Sequence, residues 1–275
     1  MPELPEVETT IRALRKKVVG AIFTNVWCDT LSIIKNPFSE FQKKIKGKEI
    51  KQIRRIGKNI IFDLSNHSIL LVHQKMTGHL LYGKWKKDKK GWVSTKALQD
   101  PINRFLHILF FLDTGYQLAL SDMRKFAKVE FLEQIDLTIG EDALAISLNN
   151  FKKKVKRKKG IKTILMDQSI LAGIGNIYSD EVLFEAKVHP LKQGNSLTEK
   201  ELQRIYQAMK KVLKKAIIEK GTSFSDYRTP DGTKGGFLKF IKVYHKKECP
   251  ICLGQIKKVK IGSRTAHFCD KCQKL

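Results

Sequence analysis

The feature that most limits what this chain can fold into is a set of four cysteines near its C-terminal end. They read Cys249-Pro-Ile-Cys252 and Cys269-Asp-Lys-Cys272, with 16 residues between the pairs. Two tight turns, each offering two thiolates, suit one tetrahedral ion, which is the spacing of a four-cysteine zinc ribbon. The competing reading is a pair of disulfides, which belongs to exported chains. No basic-then-apolar leader opens this sequence, because Glu3, Glu6 and Glu8 occupy that region. With four protein ligands the site is closed, so a single Zn2+ would hold structure and do no chemistry. Cys28 stands apart in a strand-like segment and reads as a small buried hydrophobe.

A chain of 275 residues is long enough for more than one domain. Leu4, Val7, Ile11, Leu14 and Val18 recur every three or four residues, which predicts a helix from the N-terminus to about Val19, stopped at Gly20. From 21 to about 135 the pattern becomes short runs such as "IIFDL", "SILLVH" and "LHILFFL", rich in branched and aromatic residues and separated by turns. Regular strands with no predicted helix between them imply a sandwich or barrel. The polar, lysine-rich stretch 84–101 is expected as an exposed loop.

After the basic block "FKKKVKRKKG" the period turns helical. "ILMDQSILAGIGNIYSDEVLF" reads as helix, glycine turn, helix, with Asn176 as a cap for the second. It is either an ordinary helical hairpin or a phosphate seat at a helix start. Thr198 and Glu201 form a capping box for a further helix that ends at Gly221. The glycine-rich stretch 222–240 is expected as a mobile loop. The fold class is therefore α+β and multidomain, with boundaries at 1–136, 137–240 and 241–275.

Lysine and arginine total 53 against 27 acidic residues, a net charge of +26. Such an excess calls for a polyanionic partner, nucleic acid before an anionic membrane. "FLHILFFL", the longest apolar run, is too short to span a bilayer. A cytosolic nucleic-acid-binding protein is the expectation.

Five landmarks then fall in order: "PELPEVET" at the start, "MTG" at 76–78, "DMRKFA" at 122–127, "GIGNIYSDE" at 173–181, and the cysteine ribbon carrying Arg264. Together they resemble the bacterial formamidopyrimidine-DNA glycosylase family along the whole chain. The resemblance implies an N-terminal helix with a two-layer β-sandwich, a helix–two-turn–helix domain and a zinc ribbon. It implies a bifunctional DNA glycosylase and AP lyase of base excision repair, removing oxidised purines such as 8-oxoguanine and formamidopyrimidines. The partner would be double-stranded DNA with oxidised bases or abasic sites, met by a monomer in the cytoplasm and nucleoid. The alternatives are an endonuclease VIII-type enzyme for oxidised pyrimidines, or a catalytically silent DNA-binding protein.

By that resemblance Pro2, freed of Met1, is the nucleophile, although first-turn prolines are common in helices. Glu3 transfers protons at the sugar, Glu6 shares the site, and Lys58 completes the catalytic group while gripping phosphate. Glu8 reads more simply as a surface partner of Arg12. Met76, Arg124 and Phe126 would fill the gap left by an extruded base, whereas alone Met76 and Phe126 would read as core residues. His73, Asn176, Tyr244 and Arg264 would hold phosphates, and the loop 222–236 would cover the flipped base. Gln74, Lys75, Ala127 and His245 depart from the family pattern and put lesion preference and affinity in question.

Overall fold

The computed structural model describes residues 1–89, 91–94, 98–224 and 226–275. They form two compact units: Met1–Leu137 with Glu219–Leu238, and Thr138–Ile218 with Lys239–Leu275. These differ from the boundaries expected above. The return segment Glu219–Leu238 belongs to the N-terminal unit, and the cysteine ribbon shares one unit with the helices of residues 148–218.

In the first unit α1 (Leu4–Val18) buries Leu4, Val7, Ile11, Leu14 and Val18, the stripe the spacing predicts. Gly20 then turns at φ +88°. The strands are β1 (Phe23–Cys28), β2 (Ile50–Ile56), β3 (Asn59–Leu64), β4 (Ile69–His73), β5 (His79–Gly83), β6 (Trp85–Asp88), β7 (Gly91–Ser94), β8 (Leu106–Leu112), β9 (Gln117–Ser121) and β10 (Lys128–Leu132). Two four-stranded antiparallel sheets form, in the orders β1-β8-β9-β5 and β10-β4-β3-β2. Alternate residues face inward, so Phe23, Ile108, Phe110, Leu118 and Leu120 of one sheet share a core with Ile60, Phe62, Leu70, Val72 and Val129 of the other. The sandwich expected from the strand pattern is present.

Two local features escaped the sequence pattern. The short helix α2 (Phe38–Ile45) buries only Phe41 and Ile45, too few repeats to declare a period. The stretch 84–101 is not one exposed loop: β6 and β7 pair as a hairpin, and Trp85 and Leu98 are buried against the outer face of the β8–β9 sheet. Gly83 makes this possible, since a Cβ there would lie 2.2 Å from Leu98 Cδ1. Residues 90 and 95–97 of that stretch lie outside the described residues.

The second unit contains β11 (Glu141–Asp142), α3 (Leu148–Val155), α4 (Ile161–Met166), β12 (Leu171–Ala172), α5 (Asn176–Glu185), α6 (Glu199–Ile218), β13 (Lys257–Ile261) and β14 (Arg264–Phe268). The basic block begins inside α3, where Phe151 and Val155 are buried and Lys152 pairs with Glu199. Thr198 and Glu201 form the expected box: Glu201 N–H donates to Thr198 Oγ1 at 3.3 Å, and Thr198 N–H donates to Glu201 Oε2 at 2.9 Å. Among the described residues no helix is long and apolar enough to cross a membrane.

Candidate functional site

Pro2 is buried at the foot of α1, and two carboxylates follow it out of solvent, Glu3 and Glu6 each 2% exposed. Glu6 has a defined task. Its Oε2 accepts from Glu3 N–H at 2.8 Å and its Oε1 from Thr222 N–H at 2.7 Å. Its carbonyl accepts from the Tyr227 hydroxyl at 3.1 Å. Burial first, and the Glu6 charge second, hold the Tyr227 phenol above its usual range, so it stays a donor. Gly221 (φ +81°) is required here, because a Cβ would lie 2.9 Å from Glu6 Oε1. The return segment is thereby fastened to the helix start. Glu8 does more than pair with Arg12 at 2.8 Å, since it also reaches Arg55 of β2 at 3.0 Å.

The segment expected as a mobile cover is anchored over much of its length. Residues Tyr227–Pro230 are buried, and Arg228 grips Asp100 through Nε at 2.9 Å and Nη2 at 3.1 Å. Tyr82 N–H donates to Pro230 O at 2.8 Å. Phe224 stands exposed, and residue 225 lies outside the described residues.

Lys58 occupies the two-residue turn between β2 and β3, where Gly57 takes φ +59°. Register brings the turn beside His73, which pairs with Asn59 on one side and Lys128 on the other. His73 Nδ1 accepts from Lys75 N–H at 2.9 Å, which leaves the neutral ring with Nε2–H as a donor. Burial, reinforced by the charges of Lys75, Lys58 and Lys128, holds this imidazole down to about 4 from 6.5. The unfolded chain therefore takes up a proton that the fold refuses. Above pH 6.5 this changes nothing; as pH falls toward 4, stability drops, by about 2 kcal/mol at pH 5. Urea unfolding at pH 7.5 and 5 should show that loss, and His73→Gln should show less of it.

Met76 and the pair Arg124 and Phe126 lie on two loops that share one carboxylate. Asp122 is fully buried. It accepts from Thr77 Oγ1, from Ala127 N–H at 2.8 Å and from Arg124 N–H at 3.3 Å. Arg124 N–H also donates to Thr77 Oγ1 at 3.1 Å. So held, Phe126 is 52% exposed with the Arg124 guanidinium 4.7 Å over its ring, and Met76 is half-buried. The core reading of Phe126 does not hold.

In the second unit Gly175 caps α5, and Asn176 is its first helical residue, not the cap expected. Its Oδ1 is shielded and makes no hydrogen bond among the described residues. Tyr244 is half-buried, its N–H bonded to Glu181 Oε1 at 2.9 Å. Arg264 begins β14, exposed beside the Gly262 turn. The sequence reading assigned nothing to Asp180 and Glu181, yet these adjacent α5 residues bind the ribbon at two points. Asp180 binds the buried Lys162 ammonium and the N–H and Nδ1 of His267. Glu181 accepts from the N–H groups of Lys242, Val243 and Tyr244. Two consecutive acids in an otherwise buried helix were the available signal.

Cys249, Cys252, Cys269 and Cys272 gather with all four Sγ atoms within 4.8 Å of one another. The Cys252–Cys269 and Cys249–Cys272 separations are 3.4 and 3.8 Å. Ligands about 2.3 Å from a tetrahedral centre stand about 3.8 Å apart, so the set fits one metal ion. None forms a disulfide, and Cys28 is half-buried, its thiol pushed up to about 11 by burial.

Residues 1–129 match the family model of the formamidopyrimidine-DNA glycosylase N-terminal domain, and 139–228 that of its H2TH domain. The formamidopyrimidine-DNA glycosylase of Pelotomaculum thermopropionicum is 35% identical over 288 residues, covering 100% of both chains. That of Listeria innocua is 35% identical over 287 residues, again covering 100% of both chains. The chain belongs to the formamidopyrimidine-DNA glycosylase family. Among solved structures of that family, Lactococcus lactis Fpg bound to abasic-site DNA superposes with a TM-score of 0.86 at 30% identity, covering 99% of this chain and 100% of that one. Its complex with Fapy-dG-containing DNA gives 0.85 at 30% identity, covering 99% and 100%.

Against the family pattern, this glycosylase carries three departures with visible consequences. His245, at φ 58°, takes a backbone shape that glycine adopts freely, and its ring lies 4.5 Å from Tyr244 and 4.8 Å from His267. Ala127 is simply buried in the sandwich core. Gln74 is 1% exposed, and neither side-chain polar atom has a partner among the described residues. A buried amide without partners costs about 1–3 kcal/mol, so Gln74→Leu should stabilise the fold by that order in urea unfolding.

Proposed function

We propose that this protein excises oxidised purines from duplex DNA and then nicks the strand, with Pro2 as nucleophile once Met1 is removed. The observation that carries this reading is the buried start of α1, where Pro2, Glu3 and Glu6 stand within five residues at the turn that Thr222 and Tyr227 close. An unprotonated Pro2 nitrogen attacks C1′ of the deoxyribose, the C1′–base bond breaks, and the base leaves with a proton. The Pro2 nitrogen then sheds its N–H proton and the C1′–O4′ bond breaks, O4′ taking a proton as the sugar ring opens. Because proline is a secondary amine, the open-chain iminium that results carries a fixed positive charge. That charge acidifies the C2′ proton, whose loss expels the 3′ phosphate, and a second elimination expels the 5′ phosphate.

Two features favour the free amine. The positive end of the helix dipole disfavours a second cation there. The Glu6 carboxylate, which would favour protonation, spends both oxygens on backbone N–H groups. Glu3 is the proton carrier at the sugar, and Glu6 holds the return segment. Met76 and Phe126 fill the space of the extruded base, and Arg124 offers its donors to the base left opposite. Lys58, His73, Asn176, Tyr244 and Arg264 grip phosphates. Such contacts release counterions, so affinity should fall steeply and log-linearly between 50 and 200 mM salt. The substrate would be met in the cytoplasm and nucleoid by a monomer.

The metal that suits four thiolates is Zn2+, held for structure alone by Cys249, Cys252, Cys269 and Cys272. Chelation should therefore abolish DNA binding without touching the sandwich. Elemental analysis should give one zinc per chain, and a metal-free chain that binds DNA normally would refute the assignment. The chemistry is tested by borohydride trapping on 8-oxoguanine duplex. A covalent adduct is expected, with weaker trapping on thymine glycol; no adduct with either would leave only a DNA-binding role.

A further inference from the structure

We infer that the first unit carries a second binding site, distinct from the Pro2 site and independent of the glycosylase reading, that takes a nucleotide bearing an exocyclic amino group. On the outer face of the β1-β8-β9-β5 sheet, the β6–β7 hairpin encloses a half-open cavity of about 640 Å³. Ligand cavities of small molecules span about 300–1,000 Å³. The chain has three tryptophans, and all of them, Trp27, Trp85 and Trp92, line this space. Trp27 and Trp92 meet edge to face, 5.5 Å apart at 65°, and so form a corner rather than a filled stack. A planar base laid in that corner stacks on one ring and meets the other with its edge.

The polar groups of the lining are those a nucleotide uses. Asp29 is 44% exposed, and its Oδ1 is occupied by His107 Nδ1 at 2.8 Å and by the Thr30 hydroxyl at 2.8 Å. Its Oδ2 has no partner among the described residues, which leaves one acceptor for an amino group such as those of adenine, guanine or cytosine. Lys87 and Arg104 stand exposed on the same lining and supply charge for a phosphate. The wall is also unfinished in hydrogen-bond terms. Trp92 Nε1 is shielded from solvent with no partner among the described residues. A tryptophan N–H that is buried ordinarily finds an acceptor. Packing alone explains an aromatic corner, but it does not explain an open carboxylate oxygen and two cations on the same lining.

Because every tryptophan lines the cavity, its emission, excited at 295 nm, reports on occupancy. The full-length protein is titrated with dAMP, dGMP, dTMP, inorganic phosphate and a short single-stranded oligonucleotide. Saturable quenching by dAMP or dGMP is expected, weaker by at least about tenfold for dTMP, which has no exocyclic amino group. Asp29→Asn should erase that discrimination, and Lys87→Glu, an exposed substitution on the hairpin, should weaken every nucleotide. Cleavage of lesion duplex by both variants should match the parent, which separates this site from the Pro2 site. If the oligonucleotide competes with dAMP, the natural source is an unpaired strand; if it does not, the source is a free nucleotide. The inference fails if no nucleotide quenches saturably, if phosphate alone reproduces the signal, or if both variants quench as the parent does.

Discussion

Replacing Pro2 with glutamine should abolish strand cleavage at 8-oxoguanine, by at least about a thousandfold, or about 4 kcal/mol of transition-state stabilisation. Duplex binding should change by no more than a few fold. The split follows from where Pro2 sits. It is buried at the foot of α1, whereas the residues proposed to grip phosphate, Lys58 and His73, belong to the β2–β3 turn and β4. Removing the imino nitrogen removes the atom that bonds to C1′ and leaves those contacts in place. Borohydride trapping must disappear in parallel, and intact mass should show the parent chain without Met1. A variant that cuts at the parent rate, or a parent that keeps Met1 and still cuts, would end the nucleophile assignment. Glu3→Gln should lose cleavage while retaining fold. Glu6→Gln should also lose stability, because its second oxygen becomes a donor facing a donor.

Asp180→Ala should destabilise the second unit by about 3–5 kcal/mol, the usual result of removing one partner from a buried ion pair. Both Lys162 and Asp180 side chains are 0% exposed, so the substitution strips the lysine of its buried counter-charge. It also removes the acceptor for His267 N–H and Nδ1, which joins β14 to α5. The consequence should extend past unfolding free energy. The ribbon is held to α5 by Asp180 on one side and Glu181 on the other, so the variant should yield the zinc proposed for its cysteines more readily to a chelator. A double substitution, Lys162→Met with Asp180→Leu, should recover much of the lost stability, since two apolar side chains of similar size replace the pair. Equal urea midpoints for the parent and Asp180→Ala would show that the pair contributes nothing.

Periodicity and spacing carried the elements that repeat themselves. Five apolar positions at three-and-four spacing defined α1, runs of branched and aromatic residues between turn signals defined the sandwich strands, and the CxxC pairs gathered as their spacing requires. What stayed hidden depends on partners far away in the chain. Nothing near Glu6 announces that Thr222 will take one of its oxygens, 216 residues on. The tryptophan-bearing hairpin reads as polar because Lys86, Lys87 and Asp88 are exposed along β6. Asn176 was read as a cap from its residue type, but Gly175 already had the extended backbone a cap needs. Phe126 shows the same limit from the other side. An aromatic residue in a strand-rich region is ordinarily core, and only the Asp122 turn turns it outward.

That Asp122 carboxylate has an evolutionary corollary. Because the "MTG" and "DMRKFA" loops hang from the same carboxylate, inserting or deleting a residue in either would misplace the tips of both. Drift in lesion preference should therefore proceed by exchanging side chains at the tips, with loop lengths frozen.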